Sequence, residues 1–290
     1  MKISLVALFF TTPWLRPVAQ YIPSSRLYRL CRTATALSMR CSTHRNRFLR
    51  PVRSVLSGYM SRERLSEVCH EYLVQRRYLN YLEATWLFMR PGQRPAAILD
   101  GADYLRGALS KGGGAVLISG HNYGFSRMVG PILAEDGYRI SRTGGLSLDV
   151  VRRRWGAEVP WEYIFLPADP WERVRALKQL IAALNNNRII HLLILNRPLG
   201  ESKAEVEFYG RNFSLDFSAF ELISGLKAPI LPCFVLCDDQ GAFTIKIHPP
   251  LGNTADELAS GFAKLFSWYL KEFPEYVRFW KPLLNQKTFW

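Results

Sequence analysis

The sequence predicts an α/β fold in which helices cover a mainly parallel, mixed sheet, preceded by a basic helical N-terminal segment. Short apolar runs rich in Val, Leu and Ile are typical of buried strands, and they recur at 115–119, 189–195 and 230–236. Amphipathic stretches of helical length lie at 171–184 and 256–273. Strands that alternate with helices of this length favour a parallel sheet covered on both faces.

The other elements follow from residue periodicity and from chain-breaking residues. We expect further helices at 45–59, 61–89, 127–135 and 216–226, and further strands at 205–209 and 243–247. Pro91 and Pro95 end the long helix predicted at 61–89, because proline lacks the backbone N–H that a helix interior needs.

Composition limits the class of protein. A hydrophobic content of 48% across 290 residues excludes a disordered chain and is enough for a sizeable core. The five cysteines form no even framework, which indicates reduced thiols in a compartment that faces the cytosol.

Positive charge is concentrated at the N-terminus. The net charge is +14, and residues 1–62 carry eleven Lys or Arg residues and no Asp or Glu. Such a segment indicates an anionic partner, either a lipid surface or a nucleic acid. We therefore divide the chain into a basic, amphipathic, membrane-associated segment at 1–60 and an α/β domain at 61–290.

A helix in this basic segment allows two interpretations. Its apolar side is formed by Leu27, Leu30, Cys31, Ala34 and Leu37, and its opposite side by Arg26, Arg29, Arg32 and Arg40. The pattern is that of a helix lying in a membrane interface, or of a helix packed on its own domain with a solvated basic face. The apolar run at 3–10 is too short to span a bilayer, and no small-residue cleavage site follows it.

Chemistry is expected where the first strand ends. Glycines at 112–114 allow a tight turn, the strand follows, and Gly120 and His121 come directly after its apolar run. Ligands of α/β proteins bind beyond the carboxyl ends of the strands, so His121 is the candidate for proton transfer. The sequence around Ser126 lacks the second glycine of the Gly-x-Ser-x-Gly nucleophile elbow. Ser126 is therefore not expected to be a hydrolase nucleophile.

The remaining motifs favour structural roles. His191 lies inside an apolar strand and is expected to be a core histidine with a local partner. Cys233 and Cys237 fall on one face of a strand and favour core packing over a metal site. No phosphate loop or dinucleotide-binding glycine pattern occurs in the sequence.

Taken in order, these pieces resemble the lysophospholipid acyltransferase family, and more narrowly the lauroyl and myristoyl transferases of lipid A biosynthesis. Members have a basic membrane-associated N-terminus, a strand ending in His-x-x-x-x-acid, an arginine segment, an aromatic-Phe-Gly step and an Ala-Pro-hydrophobic-Pro strand. The matching pieces here are Gly120-His121, Arg142 before Leu146, Phe208-Tyr209-Gly210, Ala228–Pro232 and Phe273–Trp280.

The resemblance implies transfer of a fatty acyl group from acyl carrier protein or coenzyme A to a hydroxyl or amine of a membrane lipid. No tightly bound cofactor or nucleic acid is implied. The implied location is the cytoplasmic face of the bacterial inner membrane, where the protein is either peripheral or held by a single N-terminal anchor. The implied catalytic residues are His121, Ser126 and Arg142. The implied substrate-binding residues are Asn122, Tyr123, Asn196, Arg197, Phe208, Tyr209 and Gly210.

Two departures from the family pattern open an alternative. The acid expected five places after the histidine is Ser126, and the aspartate expected after the later strand is Asn196. These departures allow a slower enzyme, an acid supplied from elsewhere, for example by Asp216 or Glu221, or no acid at all. The alternative to an active enzyme is a catalytically impaired relative that acts as a lipid-binding or partner protein. Nucleic-acid binding through residues 1–62 is a third alternative, without a recognised motif.

Overall fold

The computed structural model describes residues 21–40, 42–120, 123–145, 147–155, 159–167, 169–194, 203–216 and 219–278. The helices are α1 (Ser24–Met39), α2 (Ser42–Leu56), α3 (Arg62–Thr85), α4 (Ala102–Leu109), α5 (Val129–Glu135), α6 (Leu148–Trp155), α7 (Pro170–Asn185), α8 (Ala219–Ser224) and α9 (Ala255–Glu272). The strands are β1 (Ala97–Asp100), β2 (Ala115–Gly120), β3 (Ile140–Gly144), β4 (Glu162–Phe165), β5 (Ile189–Ile194), β6 (Lys203–Phe208), β7 (Arg211–Asp216), β8 (Ile230–Cys237) and β9 (Phe243–Ile247).

Seven of the strands form one mixed sheet in the order β1-β9-β8-β2-β5-β3-β4. Neighbouring strands pair in parallel, except that β8 and β9 are antiparallel. The predicted α/β class with a mainly parallel, mixed sheet is therefore confirmed. β6 and β7 form a separate antiparallel hairpin.

Strand β2 is the middle strand of the sheet, and all six of its residues are buried. Side chains alternate between the two faces of a strand, so helices must cover both. A Cβ on Gly120 would lie 2.9 Å from the ring of Phe266, which belongs to α9 on one face. On the other face Gly130 of α5 lies against the side chain of Arg142.

The structure contains elements that the periodicity did not predict, namely α4, α6, β1, β3, β4 and β7. The helix predicted at 216–226 is shorter than expected, because β7 extends to Asp216 and α8 begins at Ala219. Tyr209 and Gly210 both have positive φ angles, of 48° and 65°, and form the two-residue turn of the β6–β7 hairpin. Such a turn suits the twist of a hairpin and favours glycine.

Only part of the apolar side predicted for helix α1 is buried. Leu27, Tyr28 and Cys31 are buried, and the helix packs on α3. Leu30 and Leu37 remain 49% and 56% exposed. The exposed positions around them include Arg26, Arg29 and Arg40. The packed interpretation is therefore confirmed for one part of this side, and the other part stays open to solvent.

Within the part of the chain that the structure describes, no helix combines the length and the apolar character needed to cross a bilayer. Residues 1–20, including the apolar run at 3–10, lie outside the described residues. The division into segments at 1–60 and 61–290 stays a prediction.

Candidate active site

The candidate site begins at the carboxyl end of β2, in the middle of the sheet. His121 and Asn122 lie outside the described residues, whereas Gly120 before them and Tyr123 after them are described. The N–H of Tyr123 donates to the carbonyl of Gly120 at 3.3 Å. The two flanks therefore fix where the segment with the candidate base leaves and rejoins the described chain.

Residues from the C-terminal part of the chain hold the segment that follows. The N–H of Gly124 donates to the carbonyl of Tyr276 at 2.9 Å, and Tyr123 forms an antiparallel bridge with Val277. Gly124 has a φ of 53°, and a Cβ there would lie 2.7 Å from the carbonyl oxygen of Val235. Only glycine combines this backbone conformation with so close an approach.

Ser126 occupies the position of the family acid, and its hydroxyl serves the backbone. The hydroxyl oxygen lies 2.9 Å from the carbonyl oxygen of Gly120 and 2.5 Å from that of Tyr123. Ser126 is only 2% exposed. Its hydroxyl therefore bonds to the backbone on both sides of the candidate base, at Gly120 and Tyr123, and it brings no negative charge to the site.

Tyr123 is a core residue in this structure. Its hydroxyl donates to the carbonyl of Tyr269 at 2.8 Å, and its ring makes edge contacts with Phe234 and Phe266. Burial raises the pKa of the hydroxyl well above its ordinary value, followed by the effect of Glu275. The side chain thus anchors the segment, and a contact with substrate stays a prediction.

Arg142 lies in the middle of β3, not at its carboxyl end. It is in register with His191 of β5, which is in register with Leu117 of β2. At about 3.3 Å per residue, that level is roughly 10 Å before Gly120 along the strand direction. The guanidinium lies 6.0 Å from the ring centroid of Trp161, and the residue is 7% exposed. Its predicted catalytic role is not tested by this placement.

His191 is a core histidine with a local partner, as predicted. Its Nε2 lies 3.2 Å from the Ser119 hydroxyl, which in turn lies 3.0 Å from the Cys233 sulfur. All three side chains are fully buried. Burial lowers the pKa of His191 well below its ordinary value, and the charge of Arg142 lowers it further. The histidine is therefore neutral and structural.

The Phe208-Tyr209-Gly210 step forms the end of β6 and the turn that follows it. Phe208 is fully buried, and Tyr209 and Gly210 form the hairpin turn. The Tyr209 ring lies 5.3 Å from the ring of Tyr59, and its hydroxyl donates to the carbonyl of Lys271 at 3.2 Å. The first contact joins the hairpin to the connection between α2 and α3, and the second docks it on α9. The predicted substrate contact is not tested.

Sequence reasoning missed a charged cluster beside this segment. Arg127 forms an ion pair with Glu83 at 3.0 Å, and the Glu83 side chain is 8% exposed. Arg278 donates to the carbonyl of Gly124 at 3.2 Å and to that of Gln75 at 3.4 Å. No local signal marks these partners, because Arg127 and Glu83 are 44 positions apart.

The remaining residues that the sequence predicts for the site are either exposed elsewhere or not among the residues that the structure describes. Asn196 and Arg197 are not among the described residues, nor is the side chain of Asp216. Glu221 is exposed on α8. Among the described residues, no group of three or more His, Cys, Asp or Glu side chains is placed to hold a metal ion. The four described cysteines are unpaired.

The family model for bacterial lipid A biosynthesis acyltransferases matches residues 169–276. The matched part runs from the start of α7 nearly to Val277 and includes the Phe208-Tyr209-Gly210 step and the strand β8. His121, Ser126 and Arg142 precede it. No curated protein matches the chain. The match confirms the resemblance to acyltransferases of the lipid A type and supports acyl transfer in general.

Proposed function

We propose that this protein transfers a fatty acyl group from a thioester, of acyl carrier protein or coenzyme A, to a hydroxyl or amine of a membrane lipid. The observation that carries the proposal is the match to lipid A acyltransferases over residues 169–276. That part packs around a central strand, β2, whose carboxyl end leads into His121. The acceptor is a lipid A precursor or a lysophospholipid-like molecule.

The chemistry needs one base and one oxyanion site. His121 takes the proton of the acceptor hydroxyl or amine as the acceptor attacks the thioester carbonyl. The tetrahedral oxyanion is stabilised by backbone N–H groups or by Arg142, then collapses and expels the thiolate. The proton held by the imidazole passes to the thiolate, so that the histidine ends the cycle neutral.

The protein supports this chemistry through the described residues on either side of the candidate base. The Ser126 hydroxyl bonds to the carbonyls of Gly120 and Tyr123, and the carbonyl of Tyr276 accepts a bond from the N–H of Gly124. A base held in position gains much of its rate advantage from orientation. Because Ser126 is uncharged, the imidazolium formed in the reaction is less stabilised than beside a carboxylate. We therefore expect a slower enzyme than one with the family acid.

A membrane location is supported by the exposed side of α1. Leu30 and Leu37 are half-exposed and are surrounded by arginines, in a segment without acidic residues. Apolar side chains flanked by cations suit the boundary between lipid headgroups and acyl chains. A protein bound there meets a lipid acceptor without extracting it from the bilayer. We place it on the cytoplasmic face of the bacterial inner membrane.

Ser126 supports a second function, that of a catalytically impaired relative that binds lipid or a partner protein. Its hydroxyl contacts two backbone carbonyls, and the carboxylate of Glu83 pairs with Arg127. In that case the fold is retained for binding and the acid has been lost.

One experiment separates the two functions. Purified full-length protein is incubated with acyl carrier protein or coenzyme A thioesters and membrane lipids, and acylated lipid is measured by mass spectrometry. His121→Ala should lower the rate by a factor of about 100 or more. The control is His70→Ala, which changes a half-buried histidine of α3.

Absence of product with every donor would contradict the enzymatic proposal. If a His121→Ala strain also keeps the cellular role of the protein, the impaired-relative function is correct. Product formation that His121→Ala leaves unchanged would show that another residue is the base.

A further inference from the structure

Two arginines lie beside the residues that flank the candidate base. Arg127 follows Ser126 directly, and its Nη1 lies 3.0 and 3.2 Å from the two carboxylate oxygens of Glu83. Arg278 reaches Gly124 with its Nε and Gln75 with its Nη2. Its guanidinium also lies 5.9 Å from the centroid of the Phe125 ring.

The positive charge of this pair is not balanced within the described chain. Glu83 is the ion-pair partner of Arg127, and among the described residues no carboxylate lies within ion-pair distance of Arg278. Burial lowers the pKa of Arg278 to about 10, as does the neighbouring Arg127, so the group is still charged at neutral pH. Two partly buried guanidinium groups beside the single carboxylate of Glu83 leave an excess of positive charge there.

The sequence shows that nearby chain cannot supply the missing side-chain charge. Residues 111–134, which include the segment, contain no Asp or Glu, and neither do residues 278–290. An anion from outside the chain would balance the positive charge of the two guanidinium groups.

We propose that Arg127 and Arg278 bind a phosphate group of a substrate next to the segment that holds the candidate base. Guanidinium groups bind phosphate through paired N–H donors. Both arginine side chains are partly accessible to solvent, so a phosphate group can reach them. This proposal deepens the proposed function. It rests on that function for the identity of the molecule that carries the phosphate. The phosphate belongs to a lipid headgroup, or to the phosphopantetheine arm that links a thioester to its carrier.

The test measures phosphate binding without turnover. Thermal unfolding of the full-length protein is followed against inorganic phosphate, with chloride replacing phosphate to keep the ionic strength constant. Phosphate should raise the melting temperature of the wild type, and Arg278→Gln and Arg127→Gln should each weaken the apparent affinity at least tenfold. Arg94→Gln is the matched control, because Arg94 pairs with Glu135 at 3.2 Å in another part of the chain.

Conservative variants keep the test decisive if a glutamine variant does not fold. Arg278→Lys and Arg127→Lys retain the charge but lose the planar fork, so phosphate should bind several-fold more weakly. Competition identifies the source. Displacement of phosphate by phosphopantetheine but not by short-chain phosphatidic acid assigns the site to the donor, and the reverse assigns it to the acceptor.

A phosphate effect no larger than that of chloride would overturn the proposal, as would an equal effect in the wild type and in all variants. Failure of acyl transfer is a separate result. Phosphate binding that depends on the two arginines would stand even if no acylated lipid were formed, and acyl transfer without such binding would refute only the phosphate site.

Discussion

The hydroxyl of Ser126 donates to the carbonyl oxygen of Gly120, the last residue of β2, across a distance of 2.9 Å. The same hydroxyl lies 2.5 Å from the carbonyl oxygen of Tyr123. The residue at the position of the family acid is thus a donor to backbone oxygens. A carboxylate could not replace it in this arrangement, because a carboxylate only accepts hydrogen bonds.

Ser126→Ala should lower the free energy of unfolding by about 1–2 kcal/mol, since buried carbonyls lose a donor. Ser126→Asp should cost about 3 kcal/mol or more, because a buried charge would face carbonyl oxygens. Urea unfolding measures both. A Ser126→Asp variant that is as stable as the wild type and more active would show that the position still accepts the family acid.

Gly124→Ala should destabilise the protein by about 2 kcal/mol or more, because it combines a positive φ with a backbone contact. The Cβ of an alanine at this position would lie 2.7 Å from the Val235 carbonyl oxygen. Gly113→Ala is the control, since a Cβ at Gly113 meets nothing within 4 Å. Equal unfolding free energies for the two variants would contradict this account of the turn.

His191 should make stability depend on pH on the acidic side. Burial holds its pKa below the ordinary value in the folded protein. The unfolded chain therefore binds a proton below about pH 6.5 that the folded protein does not. Stability from this group is complete above that pH and falls by up to about 1.4 kcal/mol per pH unit below it.

The measurement is chemical unfolding between pH 5 and pH 7.5. His191→Gln should remove this part of the slope, whatever its effect on stability at pH 7.5. A smaller slope remains, because burial also lowers the pKa of His248. Identical slopes in the wild type and in His191→Gln would show that His191 is protonated in the folded protein.

Leu30→Gln combined with Leu37→Gln should weaken binding to vesicles that contain an anionic phospholipid by about tenfold or more, because two apolar contacts are lost. Unfolding free energy should change by less than about 0.5 kcal/mol, since both side chains are exposed. Vesicle sedimentation measures the binding.

The control for this pair is Val174→Gln combined with Ile181→Gln. These α7 side chains have the same spacing and similar exposure, 50% and 44%. If the control pair lowers vesicle binding as much as the α1 pair, the membrane contact does not lie on α1. The same holds if neither pair has an effect.

Much of the fold could be predicted from local pattern. The run at 115–119 becomes β2 because continuous Val, Leu and Ile suit a strand buried on both faces. Strand β4 was missed, because only Ile164 is fully buried in a short edge strand whose first and last residues are exposed. The helix predicted from Asp216 failed at its start, since pairing with β6 extends β7 to that residue.

The sequence predicts where the candidate site lies, but not the contacts that its residues make. The end of a central strand, with a histidine after it, is visible in the sequence. The role of Ser126 was not visible, because a motif identifies the residue type and not its hydrogen-bond partners. The same applies to Tyr123, which the resemblance assigned to substrate and which lies in an aromatic core.

The sequence by itself determined the alternation of strands and helices, the basic N-terminal segment and the order of the family motifs. These depend on residue type and spacing along the chain. Tertiary structure alone decided that Arg278 reaches Gly124 across 154 positions and that α1 buries Leu27 while it exposes Leu30. The physical reason is that periodicity shows which face of an element is apolar, whereas only packing determines what each face meets.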